Sequence, residues 1–430
     1  MKVAVQGCCH GQLDAIYEQI QSLEKDNEYK VDLLLIGGDL QAARNHNDLH
    51  CLAIKEGPKS LGGFHRYYSG EKLAPILTIV IGGNHEASNY LWELFHGGWL
   101  APNIYYLGFA GCVRVNGLRI AGISGIYNRS HYRLGHFERV PFTPATLRSV
   151  YHTREYEILK LSLLASSPID IFMSHDWPKG VDRFGDFEGL YQEKPTFRED
   201  GEKEELGSPP LRQLLTTLKP KQWLAAHMHV NFSAVVSHHH NTLSSPPATT
   251  SSDSDASDSI ETRFQAFNKC TDHQASVEVL TIEPIADGPH DVGLTYDAEW
   301  LAISRALHPY LSLTRVQDPL PKFTAMSSEI ARELDWVKTN IGTNKPISDV
   351  QVFCRTAPRA GHERLPKNEP PLWYTNSQTE AFCAMLQIQN KINPLPTDEG
   401  SMNSPLGGGE TRNPRKRSSH FNESKATRRR

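Results

Sequence analysis

The chain has 430 residues, more than one ordinary hydrophobic core contains, so we expect two folded units and tails. Hydrophobic residues make up 39% and charged residues 22%, which is enough for a globular core and leaves room for disordered segments. Seven scattered cysteines argue against a disulfide framework and predict a reducing compartment. No apolar run reaches roughly 18 residues and no secretory signal leads the sequence, so we expect a soluble, intracellular protein without a membrane span.

The formal net charge of −4 is unevenly distributed. Residues 411–430 contain eight basic residues and one acidic residue, so this tail carries +7 and the preceding residues −11. Its basic clusters are typical of a nuclear localisation signal or of a phosphate-binding arm, and a functionless terminus is the alternative. We expect a nuclear protein, with shuttling to the cytoplasm left open.

Five apolar runs, typical of buried strands, each end in a cluster of potential metal ligands. The runs are residues 3–5, 33–36, 79–81, 169–173 and 223–226. The clusters that follow are Gly7-Cys8-Cys9-His10-Gly11, Gly37-Gly38-Asp39, Gly82-Gly83-Asn84-His85-Glu86, Ser174-His175-Asp176 and His227-Met228-His229. In open α/β folds the chemistry lies beyond the carboxyl ends of the strands, so the pattern predicts one shared site.

The clusters contain more ligands than one metal ion needs, because a catalytic site takes about three protein ligands and leaves one position open. The eight positions are Cys8, His10, Asp39, Asn84, His85, His175, His227 and His229. Two metal ions roughly 3.5 to 4 Å apart could share a carboxylate and stabilise both oxygens of an in-line displacement at phosphorus. Asp39 is the candidate for the shared carboxylate.

The spacing of apolar residues predicts a helix after Gly11, with strands at 33–36, 76–81, 119–123, 169–172 and 223–226. Together these give a two-layered α/β core. We therefore divide the chain into a catalytic domain (1–237), a disordered Ser/Asp-rich insert (238–262), a smaller C-terminal domain (263–392) and a disordered basic tail (393–430). Residues 277–280 alternate like a strand, and residues 330–337 have helical spacing.

Residues 126–158 interleave arginines with aromatic residues. Arginines bind phosphates and aromatic rings stack on unpaired bases, so this segment is a candidate RNA-binding loop, although an ordinary surface segment explains the composition equally well. The candidates for the binding surface are Arg129, Tyr132, Arg133 and His136. We expect Tyr127 and Phe137 to pack the loop instead.

The order of the five clusters resembles the calcineurin-like metallophosphoesterases, with Cys8 in place of the first aspartate and Ala226 in place of a glycine. The cysteine motif resembles the RNA lariat debranching enzymes more closely. Further motifs with this resemblance are Gly82-Gly83-Asn84-His85-Glu86-Ala87-Ser88-Asn89, the segment from Gly97 to Gly108, and Ser174-His175-Asp176-Trp177-Pro178. The segment Tyr296 to Leu301 resembles the C-terminal domain of the same family.

The resemblance implies a two-layered β-sheet sandwich flanked by helices, and hydrolysis of the 2′-5′ phosphodiester at the branch point of excised introns by a metal-activated hydroxide. It implies one metal pocket formed by Cys8, His10, Asp39 and His229, and another formed by Asp39, Asn84, His175 and His227. Asp39, Asn84 and His85 would be the catalytic residues, with His85 protonating the leaving 2′-oxygen and Glu86 orienting nearby groups. The partners would be branched RNA and splicing or intron-turnover factors, and the protein would be a monomer.

Cys8 leaves the metal identities open. A thiolate is a soft ligand, so Zn(II) or Fe(II) would suit its pocket, whereas the other pocket could accept Fe(II) or Mn(II). Cys8 could also line the site without binding a metal.

Three other functions were considered. A protein phosphatase would need an Asp-Arg-Gly motif at the second cluster, but Leu40 follows Asp39. A phosphodiesterase for nucleotides or cyclic nucleotides, and a noncatalytic scaffold of the same fold, remain alternatives.

Overall fold

The computed structural model describes residues 1–54, 59–238, 260–271, 276–283 and 293–395. Most of the predicted insert (239–259) and of the predicted basic tail (396–430) lies outside these residues. Residues Met1–Pro394 form one compact unit, and a second unit begins at Leu395. Within the described ranges, no helix is both long and apolar enough to cross a membrane.

The first of two sheets has six strands. In spatial order they are β12 (Glu278–Thr281), β1 (Lys2–Gln6), β2 (Leu33–Ile36), β3 (Thr78–Val80), β5 (Ile104–Tyr106) and β4 (Gly98–Ala101). Strands β1, β2, β3 and β5 are parallel, and the two edge strands are antiparallel to their neighbours. The carboxyl ends of β1, β2 and β3 therefore lie at one edge.

The second sheet has seven strands. In spatial order they are β10 (Phe232–His238), β11 (Ile260–Ala266), β9 (Gln222–Ala225), β8 (Ile171–Ser174), β7 (Leu118–Ile123), β6 (Ala110–Val115) and β13 (Leu294–Tyr296). Strands β11, β9, β8 and β7 are parallel, so their carboxyl ends also share an edge.

Ten α-helices lie in the described residues. They are α1 (Leu13–Asn27), α2 (Phe64–Ser69), α3 (Ser88–Glu93), α4 (Glu155–Ser162), α5 (Phe187–Glu193), α6 (Arg198–Glu202), α7 (Pro209–Leu218), α8 (Ala298–Leu307), α9 (Ser327–Asn340) and α10 (Ser377–Met385). Helix α1 shows why the sequence folds this way: Leu13, Ile16, Tyr17 and Ile20 recur at helical spacing, and all four are buried.

Three apolar layers hold the fold together. Inward side chains of both sheets, such as Val5 and Ile171, meet in the central layer. Residues of α1 to α3 cover the outer face of the first sheet, and residues of α4, α7 and α8 cover that of the second. Because the parallel strands β1, β2 and β8 are covered on both faces, they are almost entirely apolar. The predicted two-layered sandwich with flanking helices is confirmed.

Residues beyond 260 contribute strands to both sheets. Strand β12 pairs with β1, β13 pairs with β6, and β11 lies between β9 and β10. The predicted boundaries of the insert are too wide, because His238 and residues 260–262 belong to the paired strands β10 and β11. Cross-strand pairing of these residues, most of which are polar, could not be inferred from composition. The division into a catalytic and a C-terminal domain stays a prediction.

Candidate metal centre

The five ligand clusters follow the carboxyl ends of β1, β2, β3, β8 and β9, as the sequence predicted. Four of the ligand residues, Cys8, His10, Asp39 and His229, offer one ligand atom each within 4.8 Å of one another. Nε2 of His10 lies 3.2 Å from Nε2 of His229 and 3.8 Å from Oδ2 of Asp39. Sulfur, nitrogen and oxygen atoms of these kinds are the ligands that divalent transition metals take in proteins.

A second group of ligands lies on the other side of Asp39. Nε2 of His175 is 3.1 Å from Oδ1 of Asn84 and 3.5 Å from Oδ1 of Asp39. The imidazole ring of His227 lies 4.9 Å from that of His175, measured between ring centroids. The two carboxylate oxygens of Asp39 thus face different ligand groups, which is the arrangement expected of a shared ligand.

Asp39 also provides a direct test of whether a metal fits. Its Oδ2 atom is buried and has no hydrogen-bond partner among the described residues, whereas buried polar atoms are nearly always paired. Burial opposes ionisation, but interactions with the neighbouring imidazoles of His175, His10 and His85 outweigh it and lower the pKa of Asp39 to about 2. A buried, charged and unpaired oxygen between two ligand groups fits a site built for cations.

The imidazoles are in the form that binds metals. Burial lowers the pKa values of His10, His175, His227 and His229, that of His229 to about 4. A lowered pKa favours the neutral ring, which has a nitrogen lone pair available for a metal ion.

The protonation of Cys8 depends on a bound cation. Burial, followed by the charge of Asp39, raises the pKa of the Cys8 thiol well above its usual value. The backbone N–H of His227 donates to Sγ of Cys8 at 3.3 Å, which favours the thiolate. Only a cation in the pocket would stabilise a thiolate there fully, because metal coordination deprotonates a thiol.

Glycines make the close approach of the ligand loops possible. Gly38 has φ +114°, and a Cβ atom there would lie 2.5 Å from Nδ1 of His175. That nitrogen donates to the carbonyl oxygen of Gly37 at 2.7 Å, which directs Nε2 of His175 toward Asn84 and Asp39. His10, Asp39, His227 and His229 themselves have positive φ angles, a conformation that costs energy for non-glycine residues and clusters at functional sites.

Glu86 connects two of the ligand loops. Its Oε1 accepts from the backbone N–H groups of Leu40 and Gly83, and its Oε2 accepts from that of Gln41. Burial and the charge of Asp39 raise the pKa of Glu86 to about 8, against the effect of these donors. Glu86 therefore holds the loop after β2 against the loop after β3, as expected of an orienting residue.

One contact that orients a ligand was not singled out by the sequence analysis. The amide of Gln41 lies 3.4 Å from Nδ1 of His10 and so helps to orient that ring; its place two residues after Asp39 was the only signal. His85 is half-buried, and its ring lies 5.7 Å from that of His10.

The chain is similar to known proteins over most of its length. Residues 1–231 match the calcineurin-like phosphoesterase family, and residues 259–391 match the lariat debranching enzyme C-terminal domain. A lariat debranching enzyme from Arabidopsis thaliana is 42% identical over 92% of this chain and 88% of its own length. Relatives of the same name from Schizosaccharomyces pombe (39% identical, 91% and 96% covered) and Homo sapiens (42%, 90% and 69%) are similar over most of the chain.

The chain belongs to the lariat debranching enzyme family. The resemblance drawn from its motifs is thereby confirmed. In this family member, the candidate metal centre lies directly beside the predicted RNA-binding loop. The backbone N–H of Gly125 donates to the carbonyl oxygen of Gly82 at 2.8 Å, and the backbone N–H of Tyr127 donates to Oδ2 of Asp176 at 3.2 Å. The loop is therefore attached to the same edge of the sheets as the ligands.

The four predicted RNA-binding residues of this debranching enzyme homologue differ in their exposure to solvent. Arg129 and Arg133 are exposed, and Tyr132 is half-buried against Tyr127, with 5.7 Å between ring centroids. The placement of His136 on the binding surface is wrong, since it is only 1% exposed.

The reason for the burial of His136 is its packing. Its ring lies against the rings of Trp92, Phe95 and Phe109, and its Nε2 is 2.9 Å from Oε1 of Glu157. Its sequence position beside exposed arginines gave no indication of these distant neighbours.

Proposed function

We propose that this protein hydrolyses the 2′-5′ phosphodiester bond at the branch point of lariat RNA and so converts the lariat to linear RNA. The observation that carries the proposal is the position of Asp39, whose two oxygens face two groups of metal ligands at one sheet edge. Membership of the lariat debranching enzyme family supports branched RNA as the substrate. The protein is a metal-dependent phosphodiesterase by the same family membership.

The ligand set supports two divalent cations. Cys8, His10, Asp39 and His229 would hold one, and Asp39, Asn84, His175 and His227 would hold the other. The thiol of Cys8 favours Fe(II) or Zn(II) in the first pocket, and the second suits Fe(II), Zn(II) or Mn(II). Divalent cations in such a pair act as Lewis acids at phosphorus and lower the pKa of a water molecule.

His85 is the candidate general acid. Its half-buried ring lies at the mouth of the site, beside that of His10. The ring would donate a proton to the 2′-oxygen of the branch nucleotide as the bond to phosphorus breaks. Asn84 precedes it in the same loop, so one short segment would supply both a metal ligand and the proton donor.

The candidate RNA-binding surface consists of Arg129, Tyr132 and Arg133. The exposed guanidinium groups would bind phosphates, and the exposed part of the Tyr132 ring would stack on an unpaired base.

The proposal is tested with a short branched RNA and a linear RNA of the same sequence. The wild-type protein should cleave the 2′-5′ bond and leave the neighbouring 3′-5′ bonds intact. Comparable cleavage of the linear RNA would rule out the debranching activity. Competition by a cyclic nucleotide or a small phosphodiester for the same site, at concentrations similar to those of branched RNA, would instead indicate a nucleotide phosphodiesterase.

The RNA surface is tested separately with the double variant Arg129→Ala/Arg133→Ala. It should bind branched RNA more weakly while keeping its metal content and unfolding temperature. A matched control is Arg198→Ala/Arg332→Ala, which removes two partly exposed arginines of α6 and α9. Equal affinities of the two double variants would exclude a role for the loop arginines but not the debranching activity.

The remaining proposals concern the cell. A nuclear location rests on the basic residues of 411–430, and branched introns would be released there together with splicing or intron-turnover factors. A variant without residues 411–430 should lose nuclear accumulation in fluorescence microscopy. We propose a monomer, which size-exclusion chromatography with light scattering would check.

A further inference from the structure

A cationic side chain lies at the side of the site away from the predicted RNA-binding loop. Four adjacent parallel strands of the second sheet are β11, β9, β8 and β7, in this order. His175, His227 and His229 follow the two middle strands, and the loop 126–158 follows β7. Lys269 follows β11, at the same edge but on the opposite side of the ligands.

The segment that carries Lys269 is attached to the ligand loops. The backbone N–H of Cys270 donates to the carbonyl oxygen of Cys8 at 2.8 Å. The side-chain amide of Gln6 donates to the carbonyl oxygen of Asn268 at 3.1 Å. Lys269 lies between these two anchored residues, so its backbone position is fixed relative to the candidate metal ligand Cys8.

The ammonium group of Lys269 is exposed, and in the described part of the chain it has neither an ion-pair nor a hydrogen-bond partner. The backbone of Lys269 lies beside the loop that carries Cys8, because the neighbouring residue Cys270 donates to the carbonyl oxygen of Cys8. An exposed, unpaired ammonium group at this edge is available to bind an anion that reaches the site.

The charge of the rest of the protein makes single cations important. The residues before the basic tail carry a net charge of −11, so their overall field repels a polyanion. Affinity for RNA must then come from individual cations placed beside the site.

We infer that Lys269 binds a backbone phosphate of one RNA arm of the branched substrate, on the side of the metal centre opposite the loop 126–158. This inference rests on the proposed debranching function. A branched RNA has three arms leaving one nucleotide, so a substrate seated at the centre extends in more than one direction. Lys269 binds an arm that leaves toward β11, while Arg129 and Arg133 bind an arm that leaves toward β7.

The test compares wild type with Lys269→Ala and Lys269→Arg on a short branched RNA. We measure K½, the RNA concentration for half-maximal rate, at several salt concentrations. Lys269→Ala should raise K½ about tenfold at low salt. It should also reduce the slope of log K½ against log salt by about 0.7, the value for one phosphate on a single strand. The rate at saturating RNA should stay within about twofold, because the contact is made equally in the ground and transition states. Lys269→Arg should restore both K½ and the slope.

Three controls test whether the effect is specific to the contact between Lys269 and RNA. Lys25→Ala removes an exposed lysine of α1 and should change neither K½ nor slope. Hydrolysis of bis(p-nitrophenyl) phosphate, which has no flanking phosphates, should be unaffected by Lys269→Ala. The metal content of the Lys269→Ala variant, measured by elemental analysis, should equal that of the wild type.

Unchanged K½ and slope in Lys269→Ala, with normal cleavage by the wild type, would overturn this inference alone. Equal loss on the small ester, or loss of metal, would also overturn it, because the lysine would then act through the metal pocket. A wild-type protein that hydrolyses the small ester but leaves branched RNA uncut would overturn the proposed function, and this inference with it.

Discussion

The backbone N–H of His85 donates a hydrogen bond of 2.8 Å to Oδ1 of Asp39. The candidate general acid is therefore attached, through its main chain, to the carboxylate that lies between the two ligand groups. Because the contact involves the backbone, a change of the His85 side chain leaves Asp39 in place. The roles of the two residues can thus be separated by mutation.

We expect His85→Ala to slow cleavage of branched RNA by about 10²- to 10⁴-fold, the usual contribution of a positioned acid or base. Bound metal and affinity for RNA should remain, since the ligand atoms and the hydrogen bond to Asp39 are retained. Single-turnover cleavage and elemental analysis measure the two effects. His50→Ala, a change at an exposed histidine, is the matched control. Cleavage at the wild-type rate would show that His85 is not the acid.

We expect Asp39→Asn to lose both activity and bound metal. The substitution keeps the shape of the side chain but removes the negative charge from a buried position that lies between two ligand groups. Metal content is measured by elemental analysis, and a chelator added to wild type should reproduce the loss of activity. Asp32→Asn alters an exposed aspartate and should do neither. Full metal occupancy in Asp39→Asn would contradict a shared ligand.

We expect Gly38→Ala to reduce metal affinity or activity by about 10- to 100-fold, the usual effect of disturbing a residue that orients a ligand. The new methyl group would collide with His175. Gly70→Ala is a matched control, because Gly70 also has a positive φ (+80°) but has no atom within 4 Å of a Cβ position.

Gly70→Ala should therefore lower only the free energy of unfolding, by about 1–2 kcal/mol. Metal titrations of both variants separate backbone strain from the collision. Equal metal affinities would mean that His175 can move without loss.

We expect Arg44→Ala to lower the free energy of unfolding by about 3–5 kcal/mol, because it leaves buried carboxylates unpaired. The Arg44 side chain is fully buried and pairs with Asp48 at 2.8 Å and with Glu93 at 2.7 Å. Denaturant titration measures the change. Arg332→Ala should cost less than about 0.5 kcal/mol, since that side chain is 70% exposed. A similar small cost at Arg44 would mean that the pocket collapses or takes up water.

Most of the candidate metal centre could be predicted from the sequence, because each ligand cluster directly follows an apolar strand. Parallel strands of one sheet align their carboxyl ends, so a local pattern of apolar run and polar cluster predicts that Cys8 and Asp39 lie at one sheet edge. Residues that act through distant contacts could not be found in this way. The partners of Arg44 include Glu93 and Thr356, which are 49 and 312 positions away.

The sequence by itself determined the two-layered α/β fold, the ligand clusters and their family, because burial of apolar strands and the chemistry of imidazole, thiol and carboxylate groups are properties of short segments. Only the tertiary structure decided that His136 is buried, that strands beyond residue 260 complete both sheets, and that the segment carrying Lys269 is attached to the loop of Cys8. These features depend on which strands become neighbours. Strand order is set by packing of the whole core, and no local pattern along the chain records it.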